Sequence, residues 1–255
     1  MKATFFSLIL VMTLQLNAQL KAVAYNDASQ KLNGFYAAPA PAKKNAPGVV
    51  ILPAWKGIDN HSKEVAQDLA KLGYNALVAD IYGEGKYPAT PKEAGEMSGY
   101  YKSHPEDYQR RIKLAMDELV KQGADPTNIV LIGYCFGGTG ALEAARGGLP
   151  VKAVVSFHGG LGKDASRKNG IILSKVLVLH GADDPYVPQK DVEAFQNEMR
   201  EGKADWEMVY YANAVHAFTE KEAGNDNSKG AAYNEKADRR SWAHFLQFLD
   251  EVFKG

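Results

Sequence analysis

Four apolar residues, Ile129-Val130-Leu131-Ile132, run directly into Gly133-Tyr134-Cys135-Phe136-Gly137-Gly138, and this stretch constrains the chain more than any other. The apolar run reads as a buried strand, and the small residues from Gly138 onward read as a helix start. The backbone must therefore reverse from strand to helix within a few residues. Glycines two positions before and after Cys135 permit a turn so tight that the middle residue sits strained and exposed. This is the elbow of Gly-x-nucleophile-x-Gly, with cysteine where serine usually stands. Cys135 is the only cysteine of 255 residues. It has no internal disulfide partner, so a thiol at this place calls for a chemical reason. The bland alternative, a buried small hydrophobe, is the usual fate of a free cysteine, and the flanking glycines argue against it.

The rest of the chain alternates strand and helix signals. Short edge strands are expected at 21–25 and 34–38, and buried strands at 48–53, 75–80, 128–134, 151–157, 175–180 and 206–211. Helical periodicity covers 60–72, 105–122, 138–146, 187–201 and 231–253. Continuous β-branched runs between amphipathic helices predict an α/β fold, a mostly parallel central sheet with helices on both faces. No linker or repeat divides the chain, so residues 19–255 form one domain. The longest irregular stretch, 82–104, is rich in Gly, Pro and Tyr. It follows the carboxyl end of a strand, where ligands bind in such sheets.

Thirty basic side chains balance thirty acidic ones, with no basic stripe, which excludes nucleic acid as an expected partner. Met1-Lys2 precedes an apolar run to Leu16 and then Asn17-Ala18-Gln19. A basic start, a short apolar core and a small residue predict a signal peptide at 1–18, cleaved after Ala18; an uncleaved anchor is the alternative. Later segments are too short or too polar to span a bilayer, so no membrane association is expected after cleavage. The mature protein is then exported, to the periplasm or the medium. A free thiol there risks oxidation unless it is shielded or useful.

A cysteine that transfers acyl groups needs a base, a group to orient that base, and donors for the oxyanion. The helix dipole beginning after Cys135 favours thiolate. The Phe136 N–H can serve the oxyanion, with a second N–H from the loop after strand 48–53, at Trp55. Downstream, strand 175–180 leads into Asp183-Asp184-Pro185-Tyr186-Val187-Pro188, and strand 206–211 leads into Ala214-Val215-His216-Ala217-Phe218. The order nucleophile, acid, histidine makes Asp184 the orienting acid, Asp183 its rival, and His216 the base. Of six histidines, His180 reads as structural, and His104 and His244 as solvent-facing. His158 either lines the pocket or packs, and His61 faces either substrate or solvent. None of these groups has metal-ligand spacing, so neither metal nor other cofactor is expected.

Three ordered motifs, the Gly133–Gly138 elbow, Gly181-x-x-Asp184-Pro185-x-Val187-Pro188 and Ala214-Val215-His216-Ala217-Phe218, together resemble the dienelactone hydrolase family over the whole mature chain. The resemblance implies an α/β-hydrolase fold, a Cys135–His216–Asp184 triad and hydrolysis of a small-molecule lactone or other carboxylic ester through an acyl-enzyme. It also implies three departures. Ala54 stands where founding members carry a glutamate that contacts the resting thiol. Glu84 and Glu220 stand where they carry two arginines that hold the substrate carboxylate. If both glutamates line the pocket, together with Tyr82 and His158 as further substrate contacts, anionic lactone acids are disfavoured by several kcal/mol. Otherwise both are solvated, and a carboxylate meets Lys56 or Lys86. Rival readings are a non-catalytic binding module on the same fold, and a peptidase or acyltransferase on the same triad. Oligomeric state is not legible.

Overall fold

The computed structural model describes residues 19–254, and the expected signal peptide at 1–18 lies outside them. Eight strands form one sheet in the order β1-β2-β4-β3-β5-β6-β7-β8. They are β1 (Leu20–Asp27), β2 (Gln30–Ala37), β3 (Gly48–Leu52), β4 (Asn75–Val78), β5 (Ile129–Tyr134), β6 (Ala153–Phe157), β7 (Lys175–Gly181) and β8 (Trp206–Tyr211). β2 pairs antiparallel with β1 and β4, and every other pairing is parallel. β3 and β5 pair in the register Leu52↔Gly133, while the chain leaves β3 toward β4 and returns on its other side to β5. This reversal of strand order opens a crevice beyond the carboxyl ends of β3 and β5, and the elbow stands at its edge.

Alternate residues of each central strand point to opposite faces, and both faces are covered, which is why these strands are apolar at every position. Val50, Leu52, Leu131, Val154 and Val176 pack under α3 (Pro105–Lys121), α4 (Phe136–Arg146) and α5 (Gln189–Glu201). Val49, Ile51, Val130, Ile132 and Val155 pack under α1 (Asn60–Lys71) and α6 (Glu235–Lys254). The mostly parallel, two-sided sheet matches the expectation, and the element bounds shift where capping decides them. α4 starts at Phe136, two residues before the first expected helical position, with Cys135 as its N-cap.

The stretch 82–104 is not wholly irregular, because it contains α2 (Pro91–Ser103). Its start carries a strong signal: the Thr90 hydroxyl accepts the Glu93 N–H, Pro91 occupies the first turn, and Glu93 accepts the Ala89 N–H. Its buried face is only Ala94, Ser98 and Tyr101, too sparse to show as a helical stripe. α6 begins four residues later than expected, because 230–232 hold the loop that contains His216. The His216 N–H donates to the Gly230 carbonyl, and the Ala232 N–H donates to the His216 carbonyl.

Phe245 of α6 is fully buried and meets Phe157 of β6 edge-on at 5.6 Å. Phe245→Ala should destabilise the fold by about 3–5 kcal/mol, the range for truncating a packed phenylalanine. Urea unfolding monitored by circular dichroism reads that change.

Candidate active site

The elbow is fixed by close approach. A Cβ on Gly133 would stand 2.0 Å from the Gly137 carbonyl oxygen, and one on Gly137 would stand 2.0 Å from the Leu52 carbonyl oxygen. Neither position admits a side chain, so β5 can turn into α4 against the end of β3 only with glycine at both. Cys135 itself takes φ 54°, a left-handed conformation that costs a non-glycine residue of order 1–3 kcal/mol. Its N–H donates to the Phe157 carbonyl at 3.0 Å, which ties the strained residue to β6. The Phe136 ring stacks on Tyr108 at 4.7 Å and on Tyr82 at 5.8 Å, so the start of α4 is clamped from its own side of the sheet.

Two loops bring a carboxylate and an imidazole to the sulfur. Asp184, on the turn after β7, is buried; its Oδ1 accepts the Tyr186 N–H at 2.9 Å. Its Oδ2 lies 2.8 Å from His216 Nδ1, and His216 Nε2 lies 2.9 Å from Cys135 Sγ. Asp183, the rival acid, is exposed. Burial alone pushes the thiol up and the imidazole down. In Cys135 that is outweighed by the hydrogen bond and charge of His216, the Phe136 N–H and the charge of Lys102, and the thiol falls below its usual range. In His216 it is outweighed by the hydrogen bonds to Asp184 and Cys135, and the ring is pushed up to about 10. Both directions favour a thiolate beside an imidazolium, a pair whose titration belongs to both groups.

Cys135 and His216 border a cavity of about 550 Å³, also lined by Ala54, Trp55, Lys56 and Glu220. That is the size of a small-molecule site. The Trp55 carbonyl accepts the Tyr82 hydroxyl at 2.7 Å, and its N–H has no partner among the described residues. Trp55, beyond β3, and Phe136, at the start of α4, both line the cavity that Cys135 borders.

The expected substrate contacts separate. Glu220 lines the cavity. Glu84 does not: it is exposed and pairs with Lys31 at 2.8 Å, because the loop after β4 folds back on β2 and places the Glu84 N–H on the Lys31 carbonyl. Tyr82 and His158 are also absent from the wall. Tyr82 is buried behind Trp55 and Phe136 and supports both. His158 is fully buried behind His216, edge-on to its ring at 5.4 Å, with Nε2 2.8 Å from the Thr219 hydroxyl. His61 sits at a second cavity of about 230 Å³ and meets Tyr134 edge-on. His180 is buried against Tyr210.

Sequence reasoning missed Ser98 and Lys102, both lining residues carried by the unexpected α2, and Tyr186, which meets the His216 ring edge-on at 5.3 Å. Tyr186 was legible as the residue two after Asp184; the contact of its ring with His216 was not. Among the described residues, no group of three or more His, Cys, Asp or Glu side chains could hold a metal ion, and no helix is long and apolar enough to cross a membrane.

A sequence profile of the dienelactone hydrolase family matches residues 32–253. The chain belongs to the dienelactone hydrolase family. It is 37% identical to a dienelactone-hydrolase-like promiscuous phosphotriesterase from metagenomic libraries, with a TM-score of 0.86 over 92% of this chain and 99% of that one. A second solved structure, m3DLH, is 34% identical, with a TM-score of 0.87 and the same coverage of each chain. A probable 2-oxo-3-(5-oxofuran-2-ylidene)propanoate lactonase of Bradyrhizobium sp is 27% identical over 225 residues, 80% of this chain and 83% of that one. This dienelactone hydrolase family member is an α/β-hydrolase acting on ester or lactone bonds of small molecules.

The depressed thiol makes a direct prediction. Iodoacetamide should alkylate Cys135 with a pH midpoint below that of an ordinary cysteine, and His216→Asn should move the midpoint upward. Alkylation rates across pH 5–10, read by intact mass, check both.

Proposed function

We propose that Cys135 is the nucleophile of a carboxylic-ester and lactone hydrolase that works through an acyl-enzyme. One observation carries this reading: a buried carboxylate, an imidazole and the elbow thiol are hydrogen-bonded in line at 2.8 and 2.9 Å beside a cavity of small-molecule size. In the proposed reaction the thiolate attacks the ester carbonyl, and the Phe136 and Trp55 N–H groups receive the charge that develops on its oxygen. The imidazolium of His216 then gives its proton to the departing alkoxide, leaving a thioester on Cys135. Neutral His216 takes a proton from water as that water attacks the thioester. Collapse of the second tetrahedral species releases the acid and restores the thiolate beside protonated His216. Asp184 keeps Nδ1 protonated and turns Nε2 toward sulfur at every step. Thioesters form readily from activated esters, thioesters and strained lactones and slowly from amides, so the amide reading is disfavoured.

Against a panel of 4-nitrophenyl esters and thiophenyl esters, Cys135→Ala should lower kcat/KM by at least about a thousandfold, the order seen when a triad nucleophile is removed. Wild-type enzyme quenched during turnover should carry one acyl group by intact mass, on the peptide containing Cys135. Undiminished hydrolysis by the alanine variant would sink the assignment.

The segment 1–18 supports a second proposal, export through a cleaved leader, on the strength of its basic start, apolar core and Ala18. Expression of the whole chain in a bacterium should yield a periplasmic or secreted protein whose N-terminal sequence begins at Gln19. Recovery in the cytosol with Lys2 retained contradicts it.

A further inference from the structure

Asp59, Glu220 and Glu222 all line the cavity that holds the thiol, and Glu220 is the one whose carboxyl is most withdrawn from water. Its side chain is 17% exposed, and its Oε1 is buried with no hydrogen-bond partner. The nitrogen that faces it, Nε2 of His61 on α1, lies at 3.9 Å and is likewise buried and unpartnered. His61 is a poor counter-charge, because burial holds it below its ordinary range although Asp59, Asp238 and Glu64 pull it upward. The other groups facing Glu220 are Asp59 ahead of α1, Cys135 at the elbow, Glu222 on its own loop and Asp238 on α6, and each opposes its ionisation. Tyr134, beneath it, stays neutral. The cations are Lys56 and Lys102, which line the same cavity, with the charge of Lys102 acting on Cys135, and Lys221, next in sequence to Glu220, whose charge acts on His61. Oε1 is turned inward to His61, so what Glu220 offers the cavity it lines is its charge, a receptor for a cationic group brought by the substrate.

We propose that Glu220, backed by His61, is a specificity-determining residue of this cavity, which accepts an amine or ammonium group carried by the ester and excludes substrates that carry a carboxylate. The inference rests on the ester-hydrolase reading and adds the substrate class. Burial, then the charges of Asp59 and Cys135, raise Glu220 from 4.5 to about 8. Below that pH the carboxyl holds its proton and discriminates weakly. Above it the carboxylate attracts a cation and repels an anion.

The test uses three thiophenyl esters with matched acyl chains ending in methyl, carboxylate or trimethylammonium, groups of constant charge from pH 6.5 to 9.5. In wild-type protein the ratio of kcat/KM for the ammonium ester to that for the methyl ester should rise by about tenfold or more across that range, as expected for one unit charge at a partly desolvated wall. The carboxylate-to-methyl ratio should fall. The change in reactive fraction as Cys135 and His216 titrate is common to all three esters and cancels, and any direct effect of their charge on the charged chains persists in Glu220→Gln, which isolates the part due to Glu220. Glu220→Gln should flatten both ratios, and Glu84→Gln, altering the exposed partner of Lys31, should leave them as in wild type. The wild-type pH profile needs no variant, so poor folding of Glu220→Gln does not blunt the test. Binding of the corresponding amides to Cys135→Ala, by calorimetry at the same pH values, reports the same preference even if turnover is absent. Absence of turnover in the wild-type protein, with the binding preference intact, overturns the hydrolase reading alone. Ratios that do not change with pH, or whose full wild-type change persists in Glu220→Gln, overturn the role of Glu220.

Discussion

Two backbone contacts that leave no room for a Cβ hold this molecule's functional end together. Gly133 lies against the Gly137 carbonyl and Gly137 against the Leu52 carbonyl, so the last residue of β3, the last turn of β5 and the first turn of α4 form one rigid unit. Everything placed at the crevice is referenced to that unit. Trp55 leaves β3 immediately beyond Leu52, Phe136 opens α4, and Cys135 is forced between them into a left-handed conformation. The strain is sustained because the covered sheet on both sides over-determines the turn: α4 is buried along nearly its whole length, and Cys135 is hydrogen-bonded to β6.

Two desolvated groups around this rigid unit, Asp184 and Arg146, are answered by close partners. Asp184 is buried, yet it accepts one backbone N–H and one imidazole. Farther along α4, Arg146 is buried between Glu143 at 2.9 Å and Glu198 at 2.8 Å, and it donates to the Leu161 carbonyl. That ion-pair group joins α4 to α5 and to the loop whose Gly160 carbonyl accepts the Thr139 hydroxyl at the cavity. Buried pairs of this kind contribute little net stability, because desolvation offsets their attraction, but removing one partner leaves an uncompensated charge. Their effect here is positional: they fix where the cavity wall stands relative to the thiol.

The order of the proposed triad along the chain was legible because each member follows a strand: Cys135 after β5, Asp184 after β7, His216 after β8. Spacing to a strand end is a local property, and the carboxyl ends of a parallel sheet converge by topology. Residues whose place depends on how a loop folds back were not legible. Glu84 and Glu220 are alike in sequence terms, each a glutamate a few residues beyond a strand or loop motif. One is drawn to Lys31 by the turn at Gly83–Gly85, and the other is tucked beside His61. His158 and Tyr82 lie beside active groups in space and behind them in depth, and depth is not encoded by distance from a strand end. α2 was hidden because its buried stripe is small, although Thr90-Pro91-x-Glu93 announced its start.

The cavity also gathers several acidic groups around the thiol. Cys135, Asp59, Glu220 and Glu222 share it, and the cation closest to the sulfur, His216, is already committed to the thiolate by its hydrogen bond. Burial first, and then the neighbouring negative charges, push the Glu220 carboxyl up, so it holds its proton where a free carboxyl would have lost it. One of the charges that keeps it there is the thiolate. In the proposed acyl-enzyme the sulfur is neutral, and that contribution disappears until water releases the acid. The proton affinity of the wall is therefore tied to the stage of the reaction. A cationic group on the substrate would act in the same direction as acylation, and a carboxylate would act against it.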